Sequence, residues 1–99
     1  MPTQFVDIDP RVLHVPPSRR YGVDLFKLHR QIALFGASMV GMPWPWAYRG
    51  SDGELQLYNG VTRATRIAKL SPGTLIRVEI VGEIAAPVGH LPTIGELLP

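Results

Sequence analysis

Phe5-Val6-Asp7-Ile8-Asp9 alternates apolar and polar residues, the period-two pattern of a strand with one buried face. Pro10 ends or bends it. Val12-Leu13-His14-Val15 predicts a second extended piece, and Pro16-Pro17-Ser18-Arg19-Arg20 a rigid basic loop. The period then changes. Leu25, Leu28, Ile32 and Phe35 recur at helical spacing behind Asp24, a residue suited to cap a helix start, and Gly36 can close the helix. After a loop from Ala37 to Pro43, Trp44 to Tyr48 predicts an extended piece in which Pro45 is tolerable only at an edge or at the strand start. Arg49-Gly50-Ser51-Asp52-Gly53 is a turn cluster. Leu55-Gln56-Leu57-Tyr58 resumes the alternation, so the two pieces predict a hairpin. Val61, Ala64, Ile67 and Ala68 mark an apolar helical stripe beside a basic one of Arg63, Arg66 and Lys69, and Ser71-Pro72-Gly73 ends that helix. Leu75 to Val81 is rich in β-branched residues and predicts the last strand. From Ala85 onward the chain is punctuated by Pro and Gly. There Thr93 and Glu96 have capping-box spacing for a single helical turn. The order of strand, helix, hairpin, helix and strand predicts one α+β domain over residues 1–99, with 85–99 as its tail.

Composition narrows the chemistry. At 99 residues, 45% hydrophobic and 18% charged, the chain is sized and balanced for one folded domain with a modest core. It has no cysteine, which excludes disulfides, thiolate metal sites and thiol catalysis. Ten Lys and Arg against eight Asp and Glu leave a net charge of +2, without the stronger basic bias or stripe usual in a dedicated nucleic-acid domain. The uncharged stretch from Gln31 to Tyr48 is broken by Gly36, Gly41, Pro43 and Pro45, which argues against a membrane span. The Met1-Pro2-Thr3 start is followed by Asp7 and Asp9, unlike a basic signal-peptide n-region. A soluble protein of a reducing cytoplasm is the expectation.

The segment richest in chemistry is Leu57-Tyr58-Asn59-Gly60-Val61-Thr62-Arg63-Ala64-Thr65-Arg66, where a strand enters a glycine turn and leaves as a helix. The first amides of a helix lack intrahelical partners and carry the positive end of its dipole. Gly60 would let an anion approach the backbone, Thr62 would donate a hydroxyl hydrogen bond, and Arg63 would hold charge with paired donors. Arg66 follows about one turn further on. Together they suit a phosphate or carboxylate cradle. The same residues also suit an ordinary Asn-Gly turn followed by a solvated basic helix face, and both readings stand at this point.

The turn resembles the signature turn of the ParB/sulfiredoxin superfamily. The opening strand Val6–Pro10, the proline-then-arginine loop Pro16–Arg20, the helix Leu25–Gly36, the hairpin turn Asp52–Leu55 and the passage from Pro72-Gly73 to Val81 also resemble that family in order, over roughly residues 5–83. The resemblance implies a bacterial domain that binds a nucleotide such as CTP or ATP, with Mg²⁺, at Gly60, Thr62 and Arg63, helped by Arg66 and by Arg19 and Arg20 reaching across. The departures shape the function. ParB proteins carry Gly-Glu-Arg-Arg at this turn and sulfiredoxins Gly-Cys-His-Arg, whereas this chain has Gly60-Val61-Thr62-Arg63. Val61 can neither hold Mg²⁺ nor attack an electrophile, so sulfiredoxin activity is ruled out and the expectation is phosphate binding without strong catalysis. The Ala37–Pro43 loop is longer than its ParB counterpart. No helix-turn-helix region follows before Pro99, so sequence-specific DNA recognition by that route is not expected.

Other clusters carry less. His14, His29 and His90 lie far apart with no ligand-spaced partner, and no serine sits in a Gly-x-Ser-x-Gly elbow. Asp7 and Asp9 share a strand face and could hold Mg²⁺ for a small nuclease, but no third acid is near, and a solvent-facing pair is the plainer reading. Trp44, Trp46 and Tyr48 fall on one face of a strand, as core packing or as a surface for stacking or protein contact. A catalytically silent module, joining a partner protein or a second copy through these three rings, is therefore the alternative function.

Overall fold

The structure is a computed structural model that describes residues 4–99. Its elements are β1 (Gln4–Ile8), α1 (Leu25–Phe35), β2 (Trp46–Arg49), β3 (Leu55–Asn59), α2 (Val61–Leu70) and β4 (Ile76–Glu83), with single 3₁₀ turns at Pro10–Val12, Pro17–Arg19 and Gly95–Leu97. The fold is α+β. The four strands form one mixed sheet in the order β1-β4-β2-β3. β4 runs antiparallel to β1, with Val6 opposite Val78, and parallel to β2, with Ala47 opposite Ile80. β2 and β3 form the hairpin. β2 is thus an interior strand, and Pro45 stands just before its start, where its carbonyl still accepts from Glu79 N–H at 2.9 Å.

Alternation decides which face is dry. Ala47, Leu57, Ile76 and Val78 turn inward and meet Val61, Ala64, Ile67 and Ala68 of α2, all at 9% exposure or less. α1 packs on α2 rather than on the sheet. Only Leu28 of its expected stripe is buried, and Leu25 and Phe35 stay half exposed. Its ends are well specified. Asp24 accepts from the Phe26 and Lys27 amides, and the Gly36 N–H closes on the Ile32 carbonyl. Among the described residues no helix is long and apolar enough to cross a membrane.

Two segments differ from expectation. Val12 lies in the 3₁₀ turn, which Asp9 caps through the Arg11 amide, so the extended piece shrinks to a bridge at His14. His14 exchanges backbone bonds with Leu55 and Leu57, and its ring meets the Leu91 carbonyl at 2.7 Å and Glu54 at 3.3 Å. The tail is no appendage. Val88 and Ile94 are 2% exposed, Ile94 N–H donates to the Leu13 carbonyl, and Val15 N–H donates to the Pro92 carbonyl. Isolated apolar residues between prolines leave no period to read, although they fill the core end. The Thr93–Glu96 capping box forms in both directions, at 3.1 Å and 3.2 Å.

Candidate functional site

β3 delivers the chain to Asn59, and α2 begins one residue after the turn at Gly60. Gly60 sits at φ +99° and offers no side-chain cap to the helix. A Cβ there would lie 2.8 Å from Pro45 Cβ and 2.9 Å from Arg63 Nη2, so the glycine lets Pro45 and the Arg63 guanidinium close in on the turn. Arg63 Nη2 also donates to Asn59 Oδ1 at 2.9 Å, which folds the side chain back over the first turn. Its Nε is buried without a hydrogen-bond partner, an uncommon state for an N–H donor. Burial pushes the Arg63 guanidinium below its ordinary value, though an arginine remains a cation at physiological pH.

A cleft of about 440 Å³ opens over this turn, lined by Tyr58, Asn59, Gly60, Val61, Thr62 and Arg63 on one side and by Pro16, Ser18, Arg19, Lys27 and Gln31 on the other. Three of these residues are cationic and none is acidic, so the potential in the cleft favours an anion. The structure brings together Gly60, Thr62, Arg63 and Arg19. It does not bring in Arg20, whose guanidinium lies 5.0 Å from the centre of the Tyr21 ring. Nor does Arg66 face the cleft. It is 2% exposed and donates from Nη1 to the Gly36 and Ser38 carbonyls at 2.7 Å and 2.8 Å. Burial lowers its guanidinium too. Arg66 and Arg63 instead share the wall of a smaller neighbouring cavity of about 160 Å³, under Phe35 and Met42.

Sequence alone does not mark Lys27 and Gln31. The available signal is their i, i+4 spacing, which sets both on one face of α1. Val61 turns into the core cluster at 9% exposure and offers the cleft no reactive group. The lining supplies hydroxyl and amide oxygens but no carboxylate, so a Mg²⁺ ion at this cleft would ride on the phosphates of its ligand. Among the described residues no three His, Cys, Asp or Glu side chains gather as a metal cluster.

The aromatic residues of β2 stand on the opposite face of the sheet from α2. Trp44 and Trp46 are 44% and 42% exposed. The Tyr48 ring covers Gly82, where a Cβ would come within 3.2 Å of it. No protein-family model, curated protein or solved structure matches the chain.

Proposed function

We propose that this chain is a ParB/sulfiredoxin-like domain that binds a phosphate-bearing ligand, a nucleotide such as CTP or ATP, at the first turn of α2 without strong catalysis. The observation that carries the reading is the convergence of Arg63, Arg19 and Lys27, with no acid, on an uncapped helix start. The ligand's oxygens would take the free first-turn amides and the donors of Arg63, with Thr62 Oγ1 beside them. With Val61 facing the core, hydrolysis lacks a residue to drive it, and the protein holds its ligand rather than turning it over. We assign it to the cytoplasm, where nucleotides are abundant.

The test is a thermal-shift panel of CTP, ATP, GTP and inorganic phosphate, with and without Mg²⁺, on wild type and Arg63→Ala. A ligand at 100 times its dissociation constant stabilises by about 2.7 kcal/mol. In a domain this size that raises Tm by roughly 10 °C or more. A shift present in wild type and lost in Arg63→Ala supports the site. A shift that survives the substitution, or a flat panel, refutes it.

The half-exposed Trp44 and Trp46 favour a second reading, a catalytically silent module that meets a partner protein or its own copy through Trp44, Trp46 and Tyr48. Sedimentation at high concentration tests the homodimer.

A further inference from the structure

The sheet face turned away from α2 carries a track of rings that leads into the cationic cleft. Trp46 and Tyr58 stand nearly parallel, at 4°, with centroids 6.3 Å apart, and Tyr48 meets Tyr58 edge-on at 5.4 Å. Towards the far edge, the Arg77 guanidinium lies 5.9 Å from the centroids of both Phe5 and Trp44. Phe5, Trp44, Trp46 and Tyr58 are 46%, 44%, 42% and 58% exposed, so each presents about half of its surface to solvent. Tyr58 belongs to both features, because it also walls the cleft beside Gly60. Strands lie about 4.8 Å apart, so the path from Tyr58 on β3 to Phe5 on β1 crosses three spacings, about 14 Å.

We infer that this face binds single-stranded nucleic acid without sequence preference, with one phosphate in the Gly60 cleft and two or three bases stacked along the rings. The inference rests on the phosphate reading of that cleft. Four-stranded sheets with outward aromatics stack two or three bases in this manner. Aromatic stacking tolerates any base, since every base presents a π-face, and a duplex hides those faces. Charge complementarity holds at both ends. Arg63, Arg19 and Lys27 wait in the cleft, and Arg77 of β4 reaches towards the far edge in an exposed pair with Asp7 of β1 that is weak enough to yield to a phosphate. Glu79 is the opposing group. It lies in register with both Phe5 and Trp46 and sets a carboxylate inside the track. A polyanion must tolerate that carboxylate, whereas a cationic partner would seek it.

The experiment is fluorescence anisotropy of labelled ten-residue oligothymidylate and oligouridylate at 50 and 200 mM salt, beside a duplex of equal length, with the wild-type chain, Trp46→Ala, Glu79→Gln and Arg63→Ala. Trp46 and Glu79 sit outside the core, and a melt of each variant checks that it folds. The expected result is single-strand binding that weakens with salt. It should fall about tenfold in Trp46→Ala, fall in Arg63→Ala, and rise severalfold in Glu79→Gln. No oligonucleotide binding, beside a nucleotide or phosphate thermal shift that Arg63→Ala removes, overturns this inference and leaves the cleft reading standing. Absence of both overturns both. Binding unchanged in Trp46→Ala, weakened in Glu79→Gln, or equal for duplex moves the ligand off this face. A dimer in sedimentation that Trp46→Ala dissolves, without oligonucleotide binding, assigns the face to a second copy instead.

Discussion

Arg66 donates from Nη1 to the Gly36 carbonyl at 2.7 Å, so a side chain of α2 fastens the last turn of α1. The same nitrogen reaches the Ser38 carbonyl, and the ring of Phe35 lies 5.6 Å from the guanidinium carbon. A cation at a helix C-terminus meets the negative end of the dipole as well as orphan carbonyls. This cation is therefore a clasp that ties α1, which packs on α2 rather than on the sheet, to the helix that covers the core.

Removing the clasp should be expensive. Arg66→Ala leaves two carbonyls without their donor at a site that is 2% exposed. The expected loss is about 3 kcal/mol, or a Tm lower by roughly 12 °C or more. Urea unfolding of the variant beside wild type measures it. A loss below about 1 kcal/mol would mean that the guanidinium behaves as a surface charge.

Gly60 and Gly41 separate two costs of a side chain. Both have positive φ, +99° and +70°, but a Cβ at Gly41 meets nothing within 4 Å, whereas at Gly60 it meets Pro45 and Arg63. Gly41→Ala should cost about 1 kcal/mol and Gly60→Ala about 3 kcal/mol, the excess coming from overpacking. Equal losses in denaturant titrations would show that Pro45 gives way freely.

Asp52 ties the β2–β3 hairpin tip to the chain near residue 88. Its carboxylate accepts from the Gly89, Glu54 and Val88 amides, at 2.8, 3.2 and 3.2 Å. The Gly89 bond foremost holds its carboxyl below the ordinary value. A lowered folded-state value contributes stability above the unfolded-state value, near pH 4, and that stability is lost as pH falls through the folded-state value. Asp52→Asn should therefore be less stable than wild type at pH 7, with the gap closing in acid. Denaturation midpoints from pH 7 to pH 3 give the comparison, and a gap that widens in acid contradicts the assignment.

Ile94 tests whether residues 85–99 belong to the core. At 2% exposure, with its N–H on the Leu13 carbonyl, Ile94→Ala should cost about 3 kcal/mol. Leu70→Ala, at a position 37% exposed, should cost under about 1 kcal/mol. A calorimetric pair of melts decides it.

What the sequence made legible were the elements with a local signal. Asp24 and Gly36 bracket α1 because capping is a matter of adjacent residues, and β4 declares itself through β-branched alternation. Thr93 and Glu96 show the same economy. Arg66 was not legible as a clasp. Its spacing from Arg63 and Lys69 is that of a solvated stripe, and only the lie of α1 across α2 buries it. Lys27 of α1 joins the cleft for the same long-range reason, and Arg20 lies over the ring of its neighbour Tyr21 instead. The exposed side of the rings on β2 likewise depended on which face α2 chose to cover.

β4 comes last among the described strands yet occupies an interior place, between β1 and β2. During synthesis, β1 and the β2–β3 hairpin emerge before the strand that will join them exists. Each must wait with an unpaired edge, the kind of edge that invites association with other chains. Most of the sheet's pairing therefore forms late and between distant segments, which slows folding relative to a chain whose strands pair in order. The nascent protein is most vulnerable in the interval before Ile76–Glu83 arrive, and α2, made just ahead of them, is the element placed to shield the apolar side of the waiting hairpin.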